Sequence, residues 1–302
     1  MKSYDVAIHA NWGMFRSPDE FTASPPLTCP FSLAPDLMID KIDHEVANII
    51  LDMGDPAPYG MMKPVRQFAQ LYSFVRTIPA PCSTYEWDRD SRLQTCVALS
   101  RLVHPTSISL RYAARVRLGE SNQVQDIFLA DIRGVGVDPF LADPEARDWL
   151  THSDAERLKQ LLAALDSKSL PPRVSRALWQ HEYAIRTYYI EVRWTLVATG
   201  LEALVHTDRS NSTLQFKERV SKMAADLGIA DFRQADAANA YEIRSRLAHG
   251  QGLQSLTDAE KDLYRRMENT LRTALLRAIT AREFCNIFLS DHNIREKWPA
   301  PS

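Results

Sequence analysis

YEIRSRLAHG, Tyr241 to Gly250, sets Ile243 and Leu247 four residues apart, spaces arginines and a histidine between and after them, and stops at a glycine. The spacing predicts a helix that buries one narrow apolar face and ends where Gly250 can take a left-handed backbone. The same ten residues hold the chemistry that bears on function. Arg244 is a permanent cation whose planar fork suits phosphate oxygens. His249 can take or give a proton near neutral pH.

The helical reading extends in both directions from this stretch. Residues from about 173 to 206 carry Tyr183, Ile190, Trp194, Val197, Leu201 and Leu204 at spacings of three, four or seven, which predicts one long helix. Trp179 and Trp194 fall on such a stripe and read as core. A second helix carries Phe216, Val220, Met223 and Leu227 and ends at Gly228. A closing helix opens at Thr257 with a capping box to Glu260 and runs through Leu263, Met267, Leu271 and Leu275 to about Phe288. Short connections between these helices imply antiparallel neighbours in a bundle.

Upstream, the pattern changes period. PTSISLRYAARVRLG, residues 105–119, is the clearest strand pattern in the chain. Ile108, Leu110, Tyr112, Ala114, Val116 and Leu118 share one face, and Arg111, Arg115 and Arg117 the other. The arginine face reads as a solvated sheet surface, with phosphate or RNA binding as the alternative. GESN reads as a turn and VQDIFLADI as the partner strand; SYDVAIHA reads as a further strand. Segments near 37–53 and 91–103 read as helices, and a short helix is expected in DAERLKQLLAAL. The fold class is therefore α+β, with a mixed α/β region over 1–165 and an all-α bundle over 171–290. LDSKSLPP, residues 165–172, reads as the linker, and 291–302 as a C-terminal tail.

Composition sets the outer limits. A chain of 302 residues with 45% hydrophobic and 25% charged residues has the make-up of a folded globular protein. Its formal net charge of -2 gives no global basic field. Residues 171–302 carry 19 of the 36 basic and 16 of the 38 acidic residues, so the acidic excess lies in the first part. Cys29, Cys82, Cys96 and Cys285 form no CxxC pair, and no signal-peptide pattern opens the chain. These features point to a cytoplasmic protein with reduced thiols. WTLVATGLEALV is too short and too charged to span a bilayer. No phosphate loop, GxGxxG, HExxH, GxSxG or Cys/His metal spacing occurs, which disfavours the common kinases, P-loop enzymes, serine hydrolases and zinc enzymes. No cofactor and no metal are expected.

Arg244 and His249 together suit metal-free cleavage of RNA. The histidine would deprotonate the ribose 2′-hydroxyl or protonate the leaving oxygen. The arginine would stabilise charge building on the phosphate. Spacing alone is weak support, because an arginine followed five residues later by a histidine occurs three times: Arg147/His152, Arg176/His181 and Arg244/His249. On an ideal helix, residues five apart point ~140° away from each other. A site built on this pair needs a helix that ends near His249, or a second chain that completes it. The rival reading makes Arg244 the partner of an acid, Glu202 or Glu242, and His249 a cation at the helix C-terminus. Lys217, Arg219 and Lys222 read as a solvated helix face, with RNA phosphates as the alternative partner.

YEIRSRLAHG resembles the signature helix of the HEPN superfamily, in particular its ApeA-like group. RWTLVATGLEALV and LQFKERVSKMAADLG resemble the two helices that precede it there. The resemblance covers roughly residues 172–290. It implies a helical bundle that homodimerises and a metal-independent ribonuclease site shared between the two copies, in proteins often associated with phage defence or toxin–antitoxin pairs. Arg244 matches the motif arginine and His249 the motif histidine. Position 245, often Asn, Asp or His in active members, is Ser245, whose hydroxyl can still bond a phosphate. Arg246, Glu202 and Tyr241 complete the supporting or substrate-binding set. The partner implied is RNA, with an antitoxin or regulator of unstated kind. Other members of the superfamily only bind, which keeps a non-catalytic dimerisation or binding module as the alternative.

Overall fold

The computed structural model describes residues 2–8, 27–54, 72–78, 92–104, 113–121, 123–129, 150–187, 189–208, 211–250 and 256–301. The expected roles of Cys82, Ile108, Leu110, Arg111, Tyr112 and Arg147 fall outside them. A sheet-containing region is followed by a helical one, as an α+β chain requires. Described residues up to Ala163 form one unit, and those from Ala164 onward form a second.

The first unit contains β1 (Lys2–Ile8), β2 (Phe31–Ala34), β3 (Leu37–Lys41), α1 (His44–Gly54), β4 (Tyr72–Ile78), α2 (Arg92–Val103), β5 (Ala113–Leu118) and β6 (Val124–Leu129). The six strands are antiparallel in the order β2-β3-β4-β1-β5-β6. Val6 lies between Val75 and Ala114, and this face with Val116 packs on Val46, Ala47 and Ile50 of α1. The alternation at 113–118 thus holds. Its arginine face, however, is not a solvated surface. Asp5, Ala7, Ala113 and Arg115 on that side are buried too. Arg115 donates twice to the Asp5 carboxylate, at 2.8 and 3.1 Å, and Arg117 lies over the Phe128 ring at 4.7 Å. The helix expected from residue 37 starts only at His44. Leu37 and Ile39 are buried in alternation with Met38 and Asp40, which is strand periodicity, and the Asp43 carboxylate accepts the Glu45 and Val46 N–H groups at the start of α1.

The helix α3 (His152–Ser167) contains the division between units, so LDSKSLPP is only partly a linker. Its first three residues are the last of α3. Then come α4 (Pro172–Arg186), α5 (Ile190–Val205), α6 (Ser212–Asp226), α7 (Gln234–Ala248), α8 (Asp258–Thr280), α9 (Arg282–Ile287) and α10 (Asp291–Lys297). The single helix expected over 173–206 is two. Thr187 and Tyr189 take extended backbones, and α4 and α5 pack along one another. Folding back lets both apolar stripes enter one core. Tyr183, placed on the common stripe by spacing, is instead 51% exposed, and Trp179 is half-buried. Trp194 is buried, with its indole N–H donating to Ala240 O at 3.0 Å. Gly200 lets α5 approach α8, since a Cβ there would meet Leu271 at 2.8 Å. The capping box at Thr257 and Glu260 is present, but α8 ends at Thr280 rather than near 288, because Ala281 is extended.

Of the expected tail over 291–302, the described residues 291–301 are packed rather than free. Ser290 caps α10, Ile294 and Trp298 are buried, and Trp298 packs with Phe284 and Phe288. The Trp298 indole donates to Asp226 at 2.9 Å. Desolvation raises the Asp226 pKa, but that hydrogen bond and Lys297 hold it below the usual carboxylate range. Cys29, Cys96 and Cys285 are free thiols, and burial pushes the Cys96 thiol far up, which makes it unreactive. Among the described residues, no helix is long and apolar enough to cross a membrane.

Candidate functional site

The helix α7 places its two motif residues differently. Arg244 sits in the last two turns on the side facing α5. There its Nη2 donates to Glu202 Oε2 at 3.1 Å. Glu202 also accepts from Tyr241 Oη at 3.3 Å and from Thr207 Oγ1 at 2.9 Å. The Arg244 guanidinium carbon lies 5.3 Å from the Tyr241 ring centroid, and that ring in turn packs on Phe216 at 4.7 Å. An ion pair, an aromatic face and two further donors on the shared carboxylate therefore hold Arg244 in place. Its guanidinium is still incompletely used. One nitrogen is engaged, Nε is buried without a hydrogen-bond partner among the described residues, and the side chain keeps 27% of its exposure.

His249 is the C-cap of α7. Its backbone N–H is shared between the carbonyls of Ser245 and Arg246, the Gly250 N–H donates to the Leu247 carbonyl, and Gly250 turns the chain away at φ 78. The imidazole is exposed and makes no hydrogen bond or ion pair with a described residue. Arg246 is exposed one turn before it and lowers the Glu260 pKa by its charge, behind the larger effect of the Thr257 hydrogen bonds. Ser245 is half-buried between them. No hydrogen bond joins Arg244 to His249, as the ~140° separation along a helix requires. The fold thus brings together Arg244, Glu202 and Tyr241, and leaves His249 and Arg246 on the open end of the same helix. Glu242, the other acid considered for Arg244, is exposed.

The competing pairs separate clearly. His181 is fully buried, with its Nε2 donating to Glu268 Oε1 at 2.7 Å. Burial raises the Glu268 pKa, yet the His181 hydrogen bond and the nearby Arg272 bring it below the usual range. This is a core pair with no route for a substrate. His152 opens α3 and meets the Phe31 ring edge-on at 5.3 Å. Arg219, considered for RNA contact, is buried and donates to the Val205 and His206 carbonyls, with desolvation lowering its pKa. Lys222 donates to Pro299 O and lies 3.8 Å from Glu218. Lys217 is half-buried.

A second polar cluster was not anticipated. His206, the C-cap of α5, holds an unusual backbone at φ 50. Its Nε2 lies 3.1 Å from Asp208 Oδ1 and 3.2 Å from Arg295 Nη2, and its Nδ1 lies 3.2 Å from Arg173 Nη2. Asp291 and Arg295 of α10 reach the same group: Arg173 pairs with Asp291, and Arg295 pairs with Asp208 at 2.9 Å. Desolvation raises the Asp208 pKa, but Arg295, His206 and Gln215 hold it low. Two guanidiniums occupy the surroundings of these acids. Among the described residues, no group of His, Cys, Asp and Glu could hold a metal.

Comparison with family models, with curated proteins and with solved structures returned no match.

Proposed function

We propose that the chain is a HEPN-type, metal-independent endoribonuclease whose site is built from Arg244 and His249 of two copies. The observation that carries this reading is the state of Arg244. It is oriented by Glu202 and Tyr241, yet keeps 27% of its exposure, while His249 on the same helix presents an unbonded imidazole to solvent. A guanidinium held this way meets a phosphate with little further ordering cost. One chain turns the two side chains apart, so a two-fold arrangement is needed to put a histidine opposite an arginine.

In that cleft the 2′-oxygen attacks phosphorus and the bond from phosphorus to the 5′-oxygen breaks. The 2′-hydroxyl proton leaves to an imidazole, and the 5′-oxygen takes a proton from the protonated imidazole of the second copy. Arg244 balances the charge on the phosphate oxygens. The products are a 2′,3′-cyclic phosphate and a 5′-hydroxyl. The sheet-containing unit would recognise a trigger, select substrate or restrain cleavage, in keeping with a toxin-like or phage-defence role. A direct test compares an RNA oligonucleotide with the same sequence methylated on every 2′-oxygen, both in excess EDTA. Cleavage of the unmodified strand alone is expected; equal cleavage of both overturns the mechanism.

A second reading has its own observation. The Arg244–Glu202 pair is what a non-catalytic dimerisation or binding module would use to hold the end of α7. That reading expects no cut RNA, and a loss of stability when the pair is removed.

A further inference from the structure

We propose that α10 is a positioning element for the Arg244 site, acting through the connection of residues 206–208 and the Thr207 hydroxyl. The chain of contacts is short and each link has a named donor and acceptor. Asp291 at the start of α10 takes Arg173 Nη2, which also reaches His206 Nδ1, while Arg173 Nη1 donates to the Ala203 carbonyl. Arg295, one turn on, bridges to Asp208 at 2.9 Å. Gln215 and Arg219 of α6 close the other side: Asp208 N–H donates to Gln215 Oε1 at 2.8 Å, and Arg219 takes the His206 carbonyl. His206 and Asp208 are therefore gripped on both flanks, and His206 is held at φ 50. Between them lies Thr207, whose hydroxyl donates to Glu202 Oε1 while Glu202 Oε2 takes Arg244.

Glu202 sits in the last turn of α5, and a carboxylate on a half-exposed turn has several rotamers open to it. The Thr207 hydroxyl and Tyr241 Oη both hold Oε1, which turns Oε2 towards Arg244. Releasing α10 removes one of the two flanks that hold 206–208 and loosens Thr207 between them. Arg173, Asp291 and Arg295 thus act on Arg244 from three residues away in contact, without touching it. None of them is a catalytic residue. The site's geometry depends on the last helix of the chain.

This inference rests on the ribonuclease reading only for its kinetic arm, and the test has a second arm that does not. In the full-length chain, the Arg244 guanidinium signal is assigned in a ¹H–¹⁵N spectrum by its loss in Arg244→Lys. Thr207→Val, Arg295→Gln and Asp291→Asn are expected to shift that signal in the direction Glu202→Gln does. Thr207→Ser, which restores a hydroxyl, is expected to return it. Lys297→Met, on α10 but bonded to Asp226, is expected to leave it in place. With RNA, the first three variants are expected to lower kcat roughly tenfold to a hundredfold with little change in KM. If the wild type cuts no RNA, the ribonuclease reading fails and the spectrum alone judges the positioning. An Arg244 signal unmoved in Thr207→Val and Arg295→Gln, whether or not RNA is cut, overturns the proposal.

Discussion

Arg115 with Asp5 and Arg244 with Glu202 are both arginine–carboxylate pairs, and the fold uses them in opposite ways. In the sheet, Arg115 donates through two nitrogens to both oxygens of Asp5, and the side chains keep 8% and 2% of their exposure. In the helical unit, Arg244 donates once, and the pair keeps 27% and 22%. The first pair is closed to any ligand, so its value lies in making a charged residue tolerable inside the sheet. The second is open to solvent, which is what a site needs. An arginine's fork geometry is shared by both; solvent access is what separates a structural cation from a candidate binding group.

The strongest way to break the comparison is at the closed pair. Asp5→Ala leaves Arg115 buried without its carboxylate and is expected to cost about 3–5 kcal/mol in urea unfolding of the sheet-containing unit. A loss below about 1 kcal/mol would show that water reaches the site. The core pair His181–Glu268 should behave similarly, and it carries a pH signature. The folded Glu268 pKa lies below its unfolded value, so its contribution is present above about pH 4.5 and is lost as pH falls through the folded value. Glu268→Gln is expected to cost on the order of 1–3 kcal/mol at neutral pH and to flatten that part of the acid limb. The open pair should give the reverse pattern. Arg244→Ala is expected to cost about 1 kcal/mol or less, while abolishing RNA cleavage. His249→Ala should be smallest in stability, within about 0.5 kcal/mol of wild type, and equally severe in activity. Stability losses at both residues without any effect on RNA would favour the binding module.

Periodicity recovers what is local. The alternation at 113–118 and the stops at Gly228 and Gly250 needed no tertiary information, and both glycines do take positive φ, at 75 and 78. The fate of Arg115 did need it, because its partner is 110 residues away and the opposite sheet face gives no sign that it will be covered. The break at 187–189 contains neither proline nor glycine; it follows from α4 and α5 packing on each other, which a one-dimensional stripe does not report. The four-residue β2 and seven-residue α10 are too short for a period to register. Of the candidate site, the partnership of Glu202 with Arg244 was among the alternatives that spacing left open. The contribution of Thr207, and of Arg173, Asp291 and Arg295 behind it, joins residues up to 118 positions apart and has no sequence signature.

The central claim concerns the ten residues ending at Gly250, and one assay addresses it directly. Purified wild type and His249→Ala are incubated with total RNA and tRNA in excess EDTA, and the 3′ ends of the products are examined. Cleavage by the wild type alone, leaving 2′,3′-cyclic phosphates, is the expected result. Cleavage that persists in His249→Ala, or RNA left intact by both proteins, would contradict it.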